Sequence, residues 1–209
     1  AETRDIMESA NIHSGIFMNG QVVLYRDQLV YSSEIPTETV EKFHQMVKED
    51  GYGLTAYNDK QFYLVASSPG AKDAYGFIHS NPPALNPDFY KENPINMMLF
   101  ISLPPAEEKY KVAFPNLDFL RNTPYSVDVI SKGNSKAEGI KRFLEHLNQE
   151  DAKTYAFGDG PNDIEMLQAV SHPVAMGNAL PILKEIAEFI TTDNTNNGIV
   201  NGLKHYGLI

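Results

Sequence analysis

Apolar residues recur at helical spacing between 135 and 147, where Ala137, Ile140, Leu144 and Leu147 share a face, and Ser135 with Glu138 makes a capping box ahead of them. A short apolar run then predicts a buried strand at 154–157, followed by a helix at 163–170 with Pro161 near its first turn. The alternation continues with a strand at 173–176, a helix at 181–187, a strand at 189–191 and a helix at 198–206. Strands alternating with helices predict a parallel sheet covered on both faces, with ligands bound at the carboxyl ends of the strands.

Before residue 135 the pattern changes to hairpins. Runs at 17–25 and 29–33 predict two strands joined across Arg26-Asp27-Gln28, and 37–50 predicts a helix closed by Gly51. A second hairpin joins 52–57 to 62–66 across Asn58-Asp59-Lys60. A short helix at 72–79, a Pro/Asn-rich connection at 81–94, a strand at 97–103, a helix at 106–114 and strands at 118–121 and 125–130 complete an α+β lobe with helices on one side.

Composition narrows the possible classes. With 42% hydrophobic residues, 11 Phe and 11 Tyr in 209 residues, the chain can bury one good core, or one core and a smaller lobe. The absence of Cys removes disulfides and thiolate metal sites and leaves a cytoplasmic address as the expectation. The net charge of −10 is spread along the chain with no basic stripe, which argues against nucleic acid as a partner and is compatible with a cation. The longest apolar run, 97–103, is far short of the ~20 residues of a membrane span. The opening AETRDIMESANI has no initiator Met and no signal-peptide pattern, and the spacing of Ile6, Met7 and Ile12 suggests a chain that begins inside a helix.

Candidate chemistry concentrates in FGDGPNDIEM, residues 157–166. Asp159 ends a predicted strand and Asp163 begins the following helix, so both carboxylates can face one point above the sheet edge. Oxygen ligands so placed suit a hard cation, Mg²⁺ above all. The plainer alternative is an Asp-Gly turn followed by an aspartate that complements a helix dipole. Pro161 at the third ligand position and the lack of a glycine at the sixth set aside a calcium loop. Lys136 falls in the first turn of a helix, where its charge opposes the dipole unless an anion is bound, so Gly133-Asn134-Ser135-Lys136 is either a phosphate cradle or a solvated helix start. The six histidines show no metal spacing, and no nucleophile elbow, Walker motif or HExxH occurs. Met97, Met98, Tyr52, Tyr57, Phe62 and Tyr63 stand either in a pocket or, at strand spacing, in a core.

The stretches SKGNSKAEGI, AFGDGPNDIEML, VAMGNA and DNTNNGIVNGLKHYGLI resemble, in the same order, the C-terminal half of the haloacid dehalogenase superfamily in its Cof-type (IIB) sugar-phosphatase branch. IFMNGQVV at 16–23 is similar to that family's entry into its cap domain. The resemblance implies an α/β fold: a Rossmann-like parallel-sheet core, incomplete at the N-terminus, with an inserted α+β cap. It divides the chain into a core remnant at 1–20, a cap at 21–124 and the rest of the core at 125–209.

It also implies a Mg²⁺-dependent phosphatase of small phosphorylated metabolites, sugar phosphates foremost, that works through a phospho-aspartyl intermediate under a closing cap. By resemblance Lys136 is the catalytic, phosphate-binding lysine, Asp159 and Asp163 serve the metal, and Asn162 and Asn178 bind phosphate or substrate. The family's DxDGT nucleophile motif occurs nowhere in the 209 residues, and Ala1-Glu2-Thr3-Arg4 only mimics its Ser/Thr motif. The expectation is a chain lacking about one βαβ unit, roughly 30 or more residues. A phosphate-binding or regulatory protein without catalysis, or a phosphomutase, are the alternatives.

Overall fold

The computed structural model describes residues 4–209, with side chains from residue 6 onward; Ala1, Glu2 and Thr3 of the Ser/Thr-motif mimic lie outside the described residues. The chain divides into two compact units, 1–134 and 135–209. No helix among the described residues is long and apolar enough to cross a membrane.

The first unit opens with helix α1 (Arg4–Ser9) and a three-stranded antiparallel sheet of β1 (Gly15–Phe17), β2 (Val22–Tyr25) and β3 (Gln28–Ser32). The single strand expected over 17–25 is therefore two. Met18, Asn19 and Gly20 take φ of 51°, 54° and 92°, so the chain turns back and Phe17 pairs with Val22. The β2–β3 connection is a two-residue turn, with Arg26 and Asp27 both left-handed as such turns demand.

Next come α2 (Thr37–Asp50), β4 (Gly53–Tyr57), β5 (Phe62–Ala66), α3 (Ala71–Phe77), α4 (Phe89–Glu92), β6 (Met97–Ile101), α5 (Glu107–Ala113), β7 (Leu117–Thr123) and β8 (Ser126–Ser131). The five strands form one antiparallel sheet in the order β5-β4-β6-β8-β7. β8 lies inside this sheet and in the first unit, where the hairpin pattern places the 125–130 strand, whereas the resemblance divides the chain at 125.

Helix α2 buries Val40, Phe43, His44 and Val47 and ends where Gly51, at φ +75°, returns its N–H to the Lys48 and Val47 carbonyls. With α5 it covers the sheet face carrying Leu54, Ala56 and Phe100, where Phe43 meets Phe100 and Tyr110. Helix α3 lies on the opposite face: Ala71, Ala74 and Tyr75 pack with Leu64 and Ile101, and the Tyr75 hydroxyl donates to Thr55. The helices thus occupy both faces, not one. The cause is β4, which is buried at all five of its residues and needs cover on each side.

The second unit contains α6 (Lys136–Leu147), β9 (Tyr155–Gly158), α7 (Ile164–Ala169), β10 (His172–Ala175), α8 (Pro181–Ile186), β11 (Phe189–Ile190) and α9 (Gly198–His205). Its sheet is parallel throughout, in the order β11-β10-β9. Ala156, Leu167, Ala175, Met176, Ala179 and Leu183 form its core. All three strands run the same way, so their carboxyl ends share one edge of the sheet.

Candidate active site

At that edge β9 ends in Gly158, and a single 3₁₀ turn over Pro161–Asp163 leads into α7. The turn folds Asp163 back beneath the strand end. A Cβ on residue 158 would lie 2.7 Å from the Cβ of Asp163, so only glycine admits the approach.

Asp163 is buried, and both of its oxygens are engaged by protein donors. Oδ2 accepts the backbone N–H of Asp159 at 3.0 Å and of Gly160 at 3.1 Å. Oδ1 accepts from Lys136 Nζ at 2.5 Å. Burial by itself pushes the Asp163 carboxyl up; the Lys136 bond and the two backbone donors outweigh it and hold the group below the usual carboxylate range. Asp163 is thus the anchor of Lys136 in this structure.

Lys136 begins α6, whose Ser135 cap accepts the Glu138 N–H at 3.3 Å. Its ammonium opposes the helix dipole, and Asp163 offsets that charge. One of its three N–H bonds serves Asp163, which leaves two, and the ammonium charge, for an anion. Asn134 of the expected cradle is directed elsewhere, donating to Ser33 and Ser131 and accepting from Tyr31.

Asp159 follows the strand and is exposed, with Oδ2 accepting from Asn178 Nδ2 at 2.7 Å. Asn178 Oδ1 accepts the Asn194 N–H at 3.2 Å, so both ends of this amide meet protein groups. Asn162 sits on the turn with Oδ1 over Gly160, 3.1 Å from where a Cβ there would lie. Lys136, Asp159, Asp163, Asn162 and Asn178 therefore come together at one sheet edge. Sequence reading missed Asp193 and Asn194 in this neighbourhood, where the spacing of Asp193 and Thr195 was the available sign of a side-chain-capped turn.

The donor set fits a hard cation. Mg²⁺ keeps several waters and needs only one or two carboxylates beside a phosphate, and Asp159 presents one at the strand end. Among the described residues no three His, Cys, Asp or Glu side chains form a metal-holding group, so these residues make no closed cage. In the first unit, a cavity of about 700 Å³ opens between the end of α2 and the loops around Pro69 and Pro104, lined by Asp50, Tyr52 and Lys109. It contains none of the candidate residues. Met98 and Tyr57 are buried, which answers the pocket-or-core alternative for those two in favour of core, and Phe62, half-buried, stacks on Tyr57 at 5.1 Å.

The sequence profile of the haloacid dehalogenase-like hydrolases matches residues 1–203. YkrA of Bacillus subtilis, which is named as a phosphatase, is 36% identical over 207 residues, which are 99% of this chain and 80% of that protein. A crystal structure from Geobacillus kaustophilus superposes over 100% of this chain and 82% of its own, with a TM-score of 0.90 and 31% identity. A sugar phosphatase of haloacid dehalogenase subclass IIB superposes over 99% of this chain and 80% of its own, with a TM-score of 0.84 and 26% identity.

Proposed function

The chain belongs to the haloacid dehalogenase-like hydrolase family, and on that premise we propose that the protein is a Mg²⁺-dependent phosphatase of small phosphorylated metabolites, sugar phosphates foremost. The observation that carries this reading is the lysine locked to a buried aspartate beside an exposed carboxylate, all at the carboxyl edge of a parallel sheet. Similarity to a IIB sugar phosphatase supports the substrate class.

Phosphoryl transfer spreads negative charge over the transferred oxygens, and the site's task is to meet that charge in a fixed place. Lys136 would bind a phosphoryl oxygen with the two N–H bonds that Asp163 leaves to it. Asp163 would hold the ammonium still, so that no reorganisation is needed as charge develops. Asp159 would hold the Mg²⁺, and Asn162 would border the same turn. The bound cation would supply Lewis-acid stabilisation of the phosphoryl oxygens. The attacking carboxylate of a phospho-aspartyl route is assigned to none of the 209 residues, because no DxDxT stretch occurs among them.

That last observation favours a second reading, a protein that binds phosphate esters without turning them over. A screen of sugar phosphates with the intact protein, read as inorganic phosphate release with Mg²⁺ and again with excess EDTA, separates the two. Release that EDTA abolishes supports the phosphatase. Saturable binding of an ester with no release supports the second reading.

A further inference from the structure

We propose that Asp193 and Asn178 are positioning residues that fix the orientation of the Asp159 carboxylate, acting through the loop at 192–197. The inference rests on the reading of Asp159 as the metal carboxylate.

The backbone of Asp159 is held on both sides, its N–H by Asp163 and its carbonyl by the Leu180 N–H at 3.2 Å. Its exposed side chain is held by Asn178 through the 2.7 Å bond to Oδ2. An amide can present either end to a carboxylate, and only the NH₂ end attracts it. The Asn194 N–H, bound to Asn178 Oδ1 at 3.2 Å, selects that end, since a flipped amide would set its NH₂ against this N–H and its oxygen against the carboxylate. The orientation of Asp159 therefore depends on where the Asn194 N–H points.

Asp193 determines that direction. Its Oδ1 accepts the Thr195 N–H at 3.0 Å, the Thr195 hydroxyl at 2.8 Å and the Asn196 amide at 2.8 Å, and its Oδ2 accepts the same amide at 2.9 Å. The bonds from Asn196 and then Thr195 hold the Asp193 carboxyl below the usual carboxylate range, so it is ionised whenever the site would work. Thr192 ties the loop from its other side, donating to the Asn196 carbonyl at 2.6 Å and accepting from Asn201 at 2.9 Å. The loop base presses on the strand-end segment backbone to backbone. Gly177 N–H donates to the Thr192 carbonyl at 3.1 Å, a Cβ on Gly177 would lie 2.6 Å from the Asp193 nitrogen, and one on Gly198 would fall on the Thr192 oxygen. A loop closed so tightly can transmit a set position to Asn178.

The test titrates Mn²⁺, in place of Mg²⁺, into the intact protein by calorimetry. Asp159→Asn identifies the site: binding that this change abolishes belongs to Asp159. Asp193→Ala and Asn178→Ala should each weaken that binding about tenfold, as loss of a group that orients a metal ligand does. The double variant should be no weaker than Asn178→Ala alone, because the two act in series. Additive losses, or wild-type affinity in folded Asp193→Ala, would overturn the relay while leaving the metal reading intact. Should Asp193→Ala not fold, wild-type Mn²⁺ affinity in Asn178→Ala overturns it equally. Absence of any Asp159-dependent binding in the wild type overturns the metal reading and the relay with it.

Discussion

Replacing Asp163 by Ala removes one acceptor that serves three donors: Lys136 Nζ and the N–H groups of Asp159 and Gly160. Each backbone N–H stripped of its partner costs about 1 kcal/mol where water reaches it only in part. The charge-assisted bond to Lys136 would be worth about 1.5–3 kcal/mol if buried. The lysine side chain is 32% exposed, so solvent takes up some of that loss and about 1 kcal/mol remains. The expected destabilisation is about 3 kcal/mol, which for a chain of this size lowers Tm by about 6–12 °C. Asp163→Asn should cost nearly as much, because one end of the amide must turn donors toward either the ammonium or the N–H pair. Thermal unfolding followed by circular dichroism measures both.

The pH dependence follows from the depressed carboxyl of Asp163, whose ordinary value is 3.8. A group with a lowered folded pKa stabilises fully above its unfolded value and loses that contribution as the pH falls through the folded one. The gap between wild type and Asp163→Ala should therefore be widest at neutral pH and close below about pH 4. A Tm within about 1 °C of wild type at pH 7 would refute the anchor role of Asp163.

Other variants address neighbouring parts of the account. Lys136→Ala should lower kcat for phosphate release by about 10²-fold or more, with the fold retained, since a charge-stabilising donor is lost; unchanged turnover returns Lys136 to a solvated helix start. Gly158→Ala should lower both Tm and turnover, because its Cβ would lie 2.7 Å from that of Asp163 and push the aspartate off Lys136; a wild-type melt speaks against the close approach. In the first unit, Arg121 makes a two-pronged bond to Glu107 at 2.6 and 2.7 Å, with side-chain exposures of 19% and 10%. Arg121→Ala strands a buried carboxylate and should cost about 3 kcal/mol in urea unfolding, and a loss under about 1 kcal/mol would make the pair a surface one.

The sequence disclosed most where chemistry is local. The Ser135 cap, the Gly51 stop and the strand-turn-helix around Asp159 are all written in neighbouring residues, and the structure has each. What escaped depends on distant partners or on unusual backbone. Met18 adopts a left-handed φ that its residue type does not announce, and the Asn19-Gly20 turn signal behind it was passed over, so one strand was read where two stand. Helix α4 is a single turn, too short to show a period, although it buries Phe89 and Tyr90. The side of the sheet that α3 covers is a tertiary choice, made by the burial of β4 on both faces. The bond from Lys136 to Asp163 spans 27 residues, and nothing in either motif announces it. Asp193 lies between the strand read at 189–191 and the helix read at 198–206, and the donors gathered around its carboxylate are visible only in the structure.

Phosphate release by wild type and Asp159→Asn, side by side on the best sugar phosphate from the screen and over a series of Mg²⁺ concentrations, tests the central claim most directly. The account predicts Mg²⁺-dependent release by the wild type and none above background by the variant, with both proteins melting alike because the exposed Asp159 side chain carries little of the fold. Equal release by the two proteins, or release indifferent to Mg²⁺, would contradict it.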